Sequence, residues 1–187
     1  MLKTNLFIIS IVLLLVGCGE ESIAITANKG VDNFTKPFQT EILEAINQAR
    51  SQPRDCHDGL GLVGPSNPLI LNNQLYDSAY EHSNDLAQSN TFSHKGSGRE
   101  YDITGYNKGR ESLFYERIES HGYLDYKIVG ENIAGGQKTV KEVMKAWLNS
   151  PDHCTNIMNP SYTEVGIAIV VNPNSEYGIY WTQNFGG

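Results

Sequence analysis

The segment Ser150–Gly166, S-P-D-H-C-T-N-I-M-N-P-S-Y-T-E-V-G, constrains this chain more than any other. A capping serine, a proline at the first helical position and an acid in the first turn make a strong helix start. Proline lacks the N–H that a first turn leaves unpaired, and the helix N-terminus favours negative charge. That start places His153 in the first turn of a short helix, facing back toward whatever lies at its N-terminal end. Before it, Val140, Val143, Met144 and Trp147 form one helical stripe. After it, Val165–Val171 and Gly178–Phe185 are β-rich runs joined by Asn172-Pro173-Asn174-Ser175, which predicts a hairpin. Upstream, Phe38, Ile42, Leu43, Ile46 and Ala49 mark a first helix that stops near Gln52-Pro53. Leu75, Ala79, His82 and Leu86 mark a second from about Asn72 to Gln88. Cys56–Asn67 reads as loop, and Lys95–Asn107 as a surface loop leading to a third, short helix near Leu113–His121.

Four blocks occur in order: H-S-N-D-L-A-Q-S-N-T-F-S-H at His82–His94, G-E-N-I-A at Gly130–Ala134, the Ser150–Gly166 segment, and Y-W-T-Q-N-F-G at Tyr180–Gly186. In content and order they resemble the CAP superfamily (cysteine-rich secretory protein, antigen 5, pathogenesis-related 1; the SCP domain), in its bacterial lipoprotein branch. The resemblance implies an α/β chain folded as one three-layer α/β/α sandwich over residues 35–187. Position by position it implies a cleft lined by His94, Glu131 and His153. The acid that many eukaryotic members carry three residues after the helix tryptophan falls here on Ser150. Glu164, in T-E-V-G, is the alternative source of a second acid.

The N-terminus carries Lys3 and then an apolar or small run from Leu6 to Gly17, short for a membrane span of about 20 residues and suited to a signal-peptide core. Leu15-Val16-Gly17-Cys18 resembles a bacterial lipobox, which implies cleavage after residue 17 and a lipid on Cys18. Gly19 follows rather than aspartate, so outer-membrane or cell-surface display is expected. Residues 18–34 read as a polar tether, and membrane association is assigned to this anchor. With Cys18 acylated, Cys56 and Cys154 remain as an even pair in an exported chain, and one disulfide is expected. The net charge is −7 and no basic run appears, which argues against a nucleic-acid partner.

Two neutral imidazoles, His94 and His153, with Glu131 orienting water or ligand, suit a weakly bound zinc or similar divalent ion. Two protein ligands fall short of the four of a structural zinc site, so no cofactor is required for folding. No serine sits in G-x-S-x-G, and no other motif specifies a reaction. The expected function is a non-enzymatic envelope module that binds a small apolar molecule, a glycan or a protein. The alternative is a metal-dependent hydrolase of peptide or wall substrate, with Glu131 as base to a metal-bound water. His82 is expected in the core or behind the site, and His57 and His121 in solvent.

Overall fold

The computed structural model describes residues 36–187. The signal-peptide reading of residues 1–17, the lipid at Cys18 and the tether to residue 34 lie outside the described residues. In chain order the elements are α1 (Lys36–Arg50), β1 (Arg54–Asp55), β2 (Leu62–Val63), β3 (Ile70–Leu71), α2 (Asn73–Ser89), α3 (Ile103–Lys108), α4 (Phe114–Ser120), β4 (Val129–Gly135), α5 (Val140–Leu148), α6 (Pro151–Met158), β5 (Glu164–Val171) and β6 (Ile179–Gly186). The last two strands form the expected hairpin. β1 and β2 pair with each other, and the main sheet has the order β3-β5-β6-β4. β3 runs parallel to β5, and the other two pairings are antiparallel.

The register sorts the side chains. Glu131, Asn184 and Gly166 stand opposite one another, as do Asn132, Gln183 and Ile167, so the two rows lie on opposite faces of the sheet. The first face meets α2. Gly166 is required there, because a Cβ would come within 2.1 Å of the Leu75 carbonyl carbon and the Tyr76 nitrogen. The second face carries the larger apolar core: Ile42 and Ile46 of α1, Val143 and Trp147 of α5, and Ile157 of α6 pack on Ile167, Trp181 and Phe185. These are the three layers the sequence implies.

Three local details differ from expectation. β4 does not announce itself in sequence, because Gly130, Glu131 and Asn132 are poor strand formers; burial and bonding hold them there. Lys95–Asn107 is not plain loop, since it contains the start of α3. That helix lacks an apolar stripe and is set by its ends: the Asp102 carboxylate accepts from Gly105 N–H, and Gly109 closes it at φ 68°. Ser150 is the N-cap of α6 as expected, but its hydroxyl makes no capping bond, which leaves Pro151 and Asp152 to start the helix.

Cys56 and Cys154 are joined, with Cα atoms 5.4 Å apart across 98 residues of sequence. The bond fastens the segment after β1 to α6, beside His153. The Thr155 hydroxyl adds a second tie by donating to Asp58 Oδ2 at 3.0 Å.

Candidate functional site

β4 is an edge strand of the sheet, and the two histidines reach it from opposite faces. On the α2 face, His94 leads away from the end of α2 and its Nδ1 lies 3.0 Å from Glu131 Oε1. On the other face, Asn132 Nδ2 donates to the main-chain oxygen of His153 at 3.1 Å, which seats the first turn of α6 against the strand. Asn156 supports the same seat by donating to Asn132 Oδ1 and to the Glu131 carbonyl, and Trp147 Nε1 donates to the Ile133 carbonyl. The edge carbonyls of β4 are thereby covered rather than left as a template for another strand. The imidazoles of His94 and His153 end up with ring centroids 6.5 Å apart.

Glu131 is held more tightly than the sequence suggests. Its side chain is 1% exposed, and Arg117 of α4, wholly buried, donates to its Oε2 at 2.8 Å. With the Asn184 amide turned so that both its ends are satisfied, its nitrogen also donates to Oε2 at 3.2 Å while its oxygen accepts from Ser78. Burial alone would raise this carboxyl, but Arg117, with His82 and His94 beside it, outweighs burial and holds it at about 2. Glu131 is therefore a poor proton acceptor at neutral pH. The same Arg117 nitrogen donates to the His94 carbonyl at 3.0 Å, so one guanidinium fixes both the backbone of His94 and the carboxylate that orients its ring. Arg117 has no motif around it, which is why sequence reasoning passed over it; E-R-I-E is ordinary helix composition.

His82 lies behind the site, as its place on the α2 stripe predicted. It is fully buried, its Nε2–H donates to the Ser93 carbonyl at 2.9 Å, and its Nδ1 has no partner. Burial pushes it down to about 4, so the ring is neutral, and it braces the residue before His94. Burial, and then the neighbouring His94, also lower His153.

The other candidates fall elsewhere. Glu164 accepts from Asn72 Nδ2 at 2.9 Å and from the Tyr123 hydroxyl at 2.8 Å, and no contact joins it to either histidine. Ser150 sits at the start of α6, half-buried. The hydroxyl of Ser150 makes no capping bond, and the carboxylate of Glu164 is committed to Asn72 and Tyr123. His121, expected in solvent, instead bonds the buried Glu81 carboxylate at 2.7 Å. His57 is exposed, as expected. With its Nδ1–H donated to Glu131, His94 has Nε2 as the nitrogen left to ligate, the arrangement of a metal-binding histidine steadied by a carboxylate. The donor chemistry thus fits a divalent ion held by two imidazoles. Among the described residues no group of three or more His, Cys, Asp or Glu is placed to hold a metal.

Residues 43–185 match the family model described as CAP: Cysteine-rich secretory protein family. The chain belongs to this family. A relative in Bacillus subtilis (strain 168), "Uncharacterized protein YkwD", is 38% identical over 122 residues, which is 64% of this chain and 40% of the relative. "Uncharacterized membrane protein YlbC" of the same organism is 32% identical over 107 residues, 57% of this chain and 25% of that one. The chain thus aligns with well under half the length of either. Among solved structures, an outer surface protein from Borrelia burgdorferi superposes with a TM-score of 0.61 at 19% identity, covering 88% of this chain and 97% of that one. An extracellular SCP-domain protein from Bacillus anthracis superposes at 0.56 and 24% identity, covering 79% and 39%. Those two proteins share the fold, and both are described as extracellular or outer-surface proteins. Among the described residues no helix is long and apolar enough to cross a membrane.

Proposed function

We propose that this chain is an exported, lipid-anchored CAP module of a bacterial envelope that binds a ligand rather than transforming one. Its His94–His153 cleft takes a divalent ion weakly. The observation that carries the reading is the sealing of Glu131. The cleft offers two imidazoles, while the acid beside them is saturated by Arg117 and His94 and held at about 2. A hydrolytic site needs a base within reach of water, whereas Glu131 is committed to Arg117 and His94, and Glu164 is engaged by Asn72 and Tyr123. The surface descriptions of the structural relatives agree with export, and the lipobox-like Leu15–Cys18 supplies the anchor.

The metal reading is tested by calorimetric titration of the full chain with zinc. Binding weakens as pH falls, because an imidazole must be neutral to ligate. His94→Ala abolishes it, and Glu131→Gln weakens it less, since that carboxylate acts by orienting His94. Zinc binding to the His94→Ala, His153→Ala double variant as strong as to the parent defeats the assignment. Mass spectrometry of the native protein reads the anchor: a diacylglyceryl group on Cys18 is expected, and an unmodified N-terminus rejects it.

A further inference from the structure

We propose that the cleft continues along β4 to an aromatic platform, Phe92 and Tyr177, which stacks a sugar of a neutral oligosaccharide. The inference rests on the ligand-binding reading above and names the class of ligand. Phe92 lies two residues before His94, and Tyr177 stands in the β5–β6 turn. The rings are 44% and 40% exposed, with centroids 5.0 Å apart and planes tilted by 45°. Two large rings left side by side in solvent mark a contact surface more than a packing need.

The platform is fixed before any ligand arrives. Tyr177 lies over Gly135 so closely that a Cβ there would meet its Cγ at 2.9 Å, and it packs edge-on to the buried Tyr180 at 5.8 Å. The β5–β6 turn is tied to the end of α2 twice: Glu176 N–H donates to Asn90 Oδ1 at 2.7 Å, and Asn172 Nδ2 donates to the Ala87 carbonyl at 2.8 Å. Asn90 takes the left-handed conformation that ends α2 and turns the chain toward Phe92. Rings held this way lose little freedom on binding.

The rim decides the ligand class. The segments that frame the rings are Gln88–Ser93, Gly135–Gln137 and Asn172–Gly178, rich in amides and hydroxyls and carrying one charged side chain, that of Glu176. An anionic ligand finds no counter-charge in those segments and a cationic one only the Glu176 carboxylate, while the exposed rings sit among polar side chains rather than apolar ones. A pyranose presents an apolar C–H face to an aromatic ring and hydroxyls around its edge, which matches both features. Gly135 is on the same strand face as Glu131, four residues on, so platform and histidine cleft lie about 13 Å apart at about 3.3 Å per residue. A ligand that touches both is a chain of sugars, not a single one.

The test is titration of the full chain, without added metal, with cellotetraose, chitotetraose and glucose, read by calorimetry. At least one tetrasaccharide binds and glucose does not. Phe92→Ala and Tyr177→Ala each weaken binding about five- to tenfold, while Tyr177→Phe retains it. Circular dichroism confirms that each variant is folded, and Phe92→Ala, at an exposed position, carries the test if Tyr177→Ala unfolds. Failure of both tetrasaccharides to bind, or undiminished binding in folded Phe92→Ala, overturns the platform. A chain that binds zinc through His94 and His153 but no sugar loses this inference alone. A chain whose bound tetrasaccharide is cleaved, seen by mass spectrometry, keeps the platform and loses the non-enzymatic reading.

Discussion

The two faces of the sheet are built on different principles, and two buried arginines show it. On the face covered by α1, α5 and α6 the contacts are mainly apolar, apart from the amides of Asn132, Gln183 and Asn156 near the β4 edge, and the wholly buried Arg50 gives its donors to main-chain oxygens only: Asn67, Ile157, Asn159 and Tyr162. It brackets the end of α1 to the end of α6, supplying partners for carbonyls that a helix terminus leaves open. On the face covered by α2, the helix buries Glu81, His82, Ser83 and Asp85 toward its neighbours, and Arg117 directs its donors to a carboxylate, a hydroxyl and the His94 carbonyl. The first face secures stability through volume, which tolerates conservative exchange. The second secures position through pairs of specific atoms, which tolerates little. The cleft lies at the β4 edge where the two meet.

Removing Arg117 should show the difference most strongly. Arg117→Met strands a buried carboxylate and lowers stability by about 3 to 5 kcal/mol in urea unfolding. Adding Glu131→Gln should recover much of that loss, because the uncompensated charge disappears. Arg50→Met has no such single-site rescue, since its partners are backbone; recovery by a side-chain change would blur the contrast between the faces. Reduction of Cys56–Cys154 on the apolar face is next, at about 2 to 4 kcal/mol, and is read from thermal melts with and without reductant.

The pH response belongs to the polar face. An unfolded imidazole protonates near 6.5 and buried His82 near 4, so between those values the unfolded chain holds more protons and stability falls as the solution is acidified. The loss amounts to about 3 kcal/mol across that window. Glu131, held at about 2 against 4.5, adds a second loss below pH 4.5. Unfolding curves at pH 7, 5.5 and 4 should show the first slope, and a His82→Asn variant should flatten it; an equal slope in that variant places the effect elsewhere. The smallest contrast concerns helix starts. Asn72 accepts from the N–H groups of Gln74 and Leu75 and holds Glu164, so Asn72→Ala costs about 1 kcal/mol or more, whereas Ser150→Ala, with no capping bond to lose, stays within about 0.5 kcal/mol.

The same division explains how much could be read from the chain. Apolar stripes reported α1, α2 and α5 nearly to the residue, because periodic burial is written in composition. The hairpin was visible for a related reason, two β-rich runs around a turn. Polar burial has no such period. Nothing in Val129–Gly135 marks a strand until Arg117, Asn184 and Asn156 are seen to satisfy it. Likewise α3 depends on Asp102, whose carboxylate also accepts from the N–H groups of Gly98 and Ser112. His94, Glu131 and His153 were found through motif order, and the structure brings them together. Glu164 is expected at the cleft by the same route, but the partners its carboxylate has are Asn72 and Tyr123. His121 was misjudged because its acid, Glu81, is 40 residues away.

The strand order carries a consequence for how the molecule comes into being. β6 lies between β5 and β4 and follows both in sequence, so among the described strands β4 has no partner until β6 is in place, and β5 has only the two residues of β3. Residues separated widely in sequence must meet in one late event, which makes assembly slow for the chain's size and close to all-or-none. Until β6 joins, each earlier helix packs beside an unfinished surface. The imidazoles of His94 and His153 have no common wall to face until β6 closes the sheet behind them.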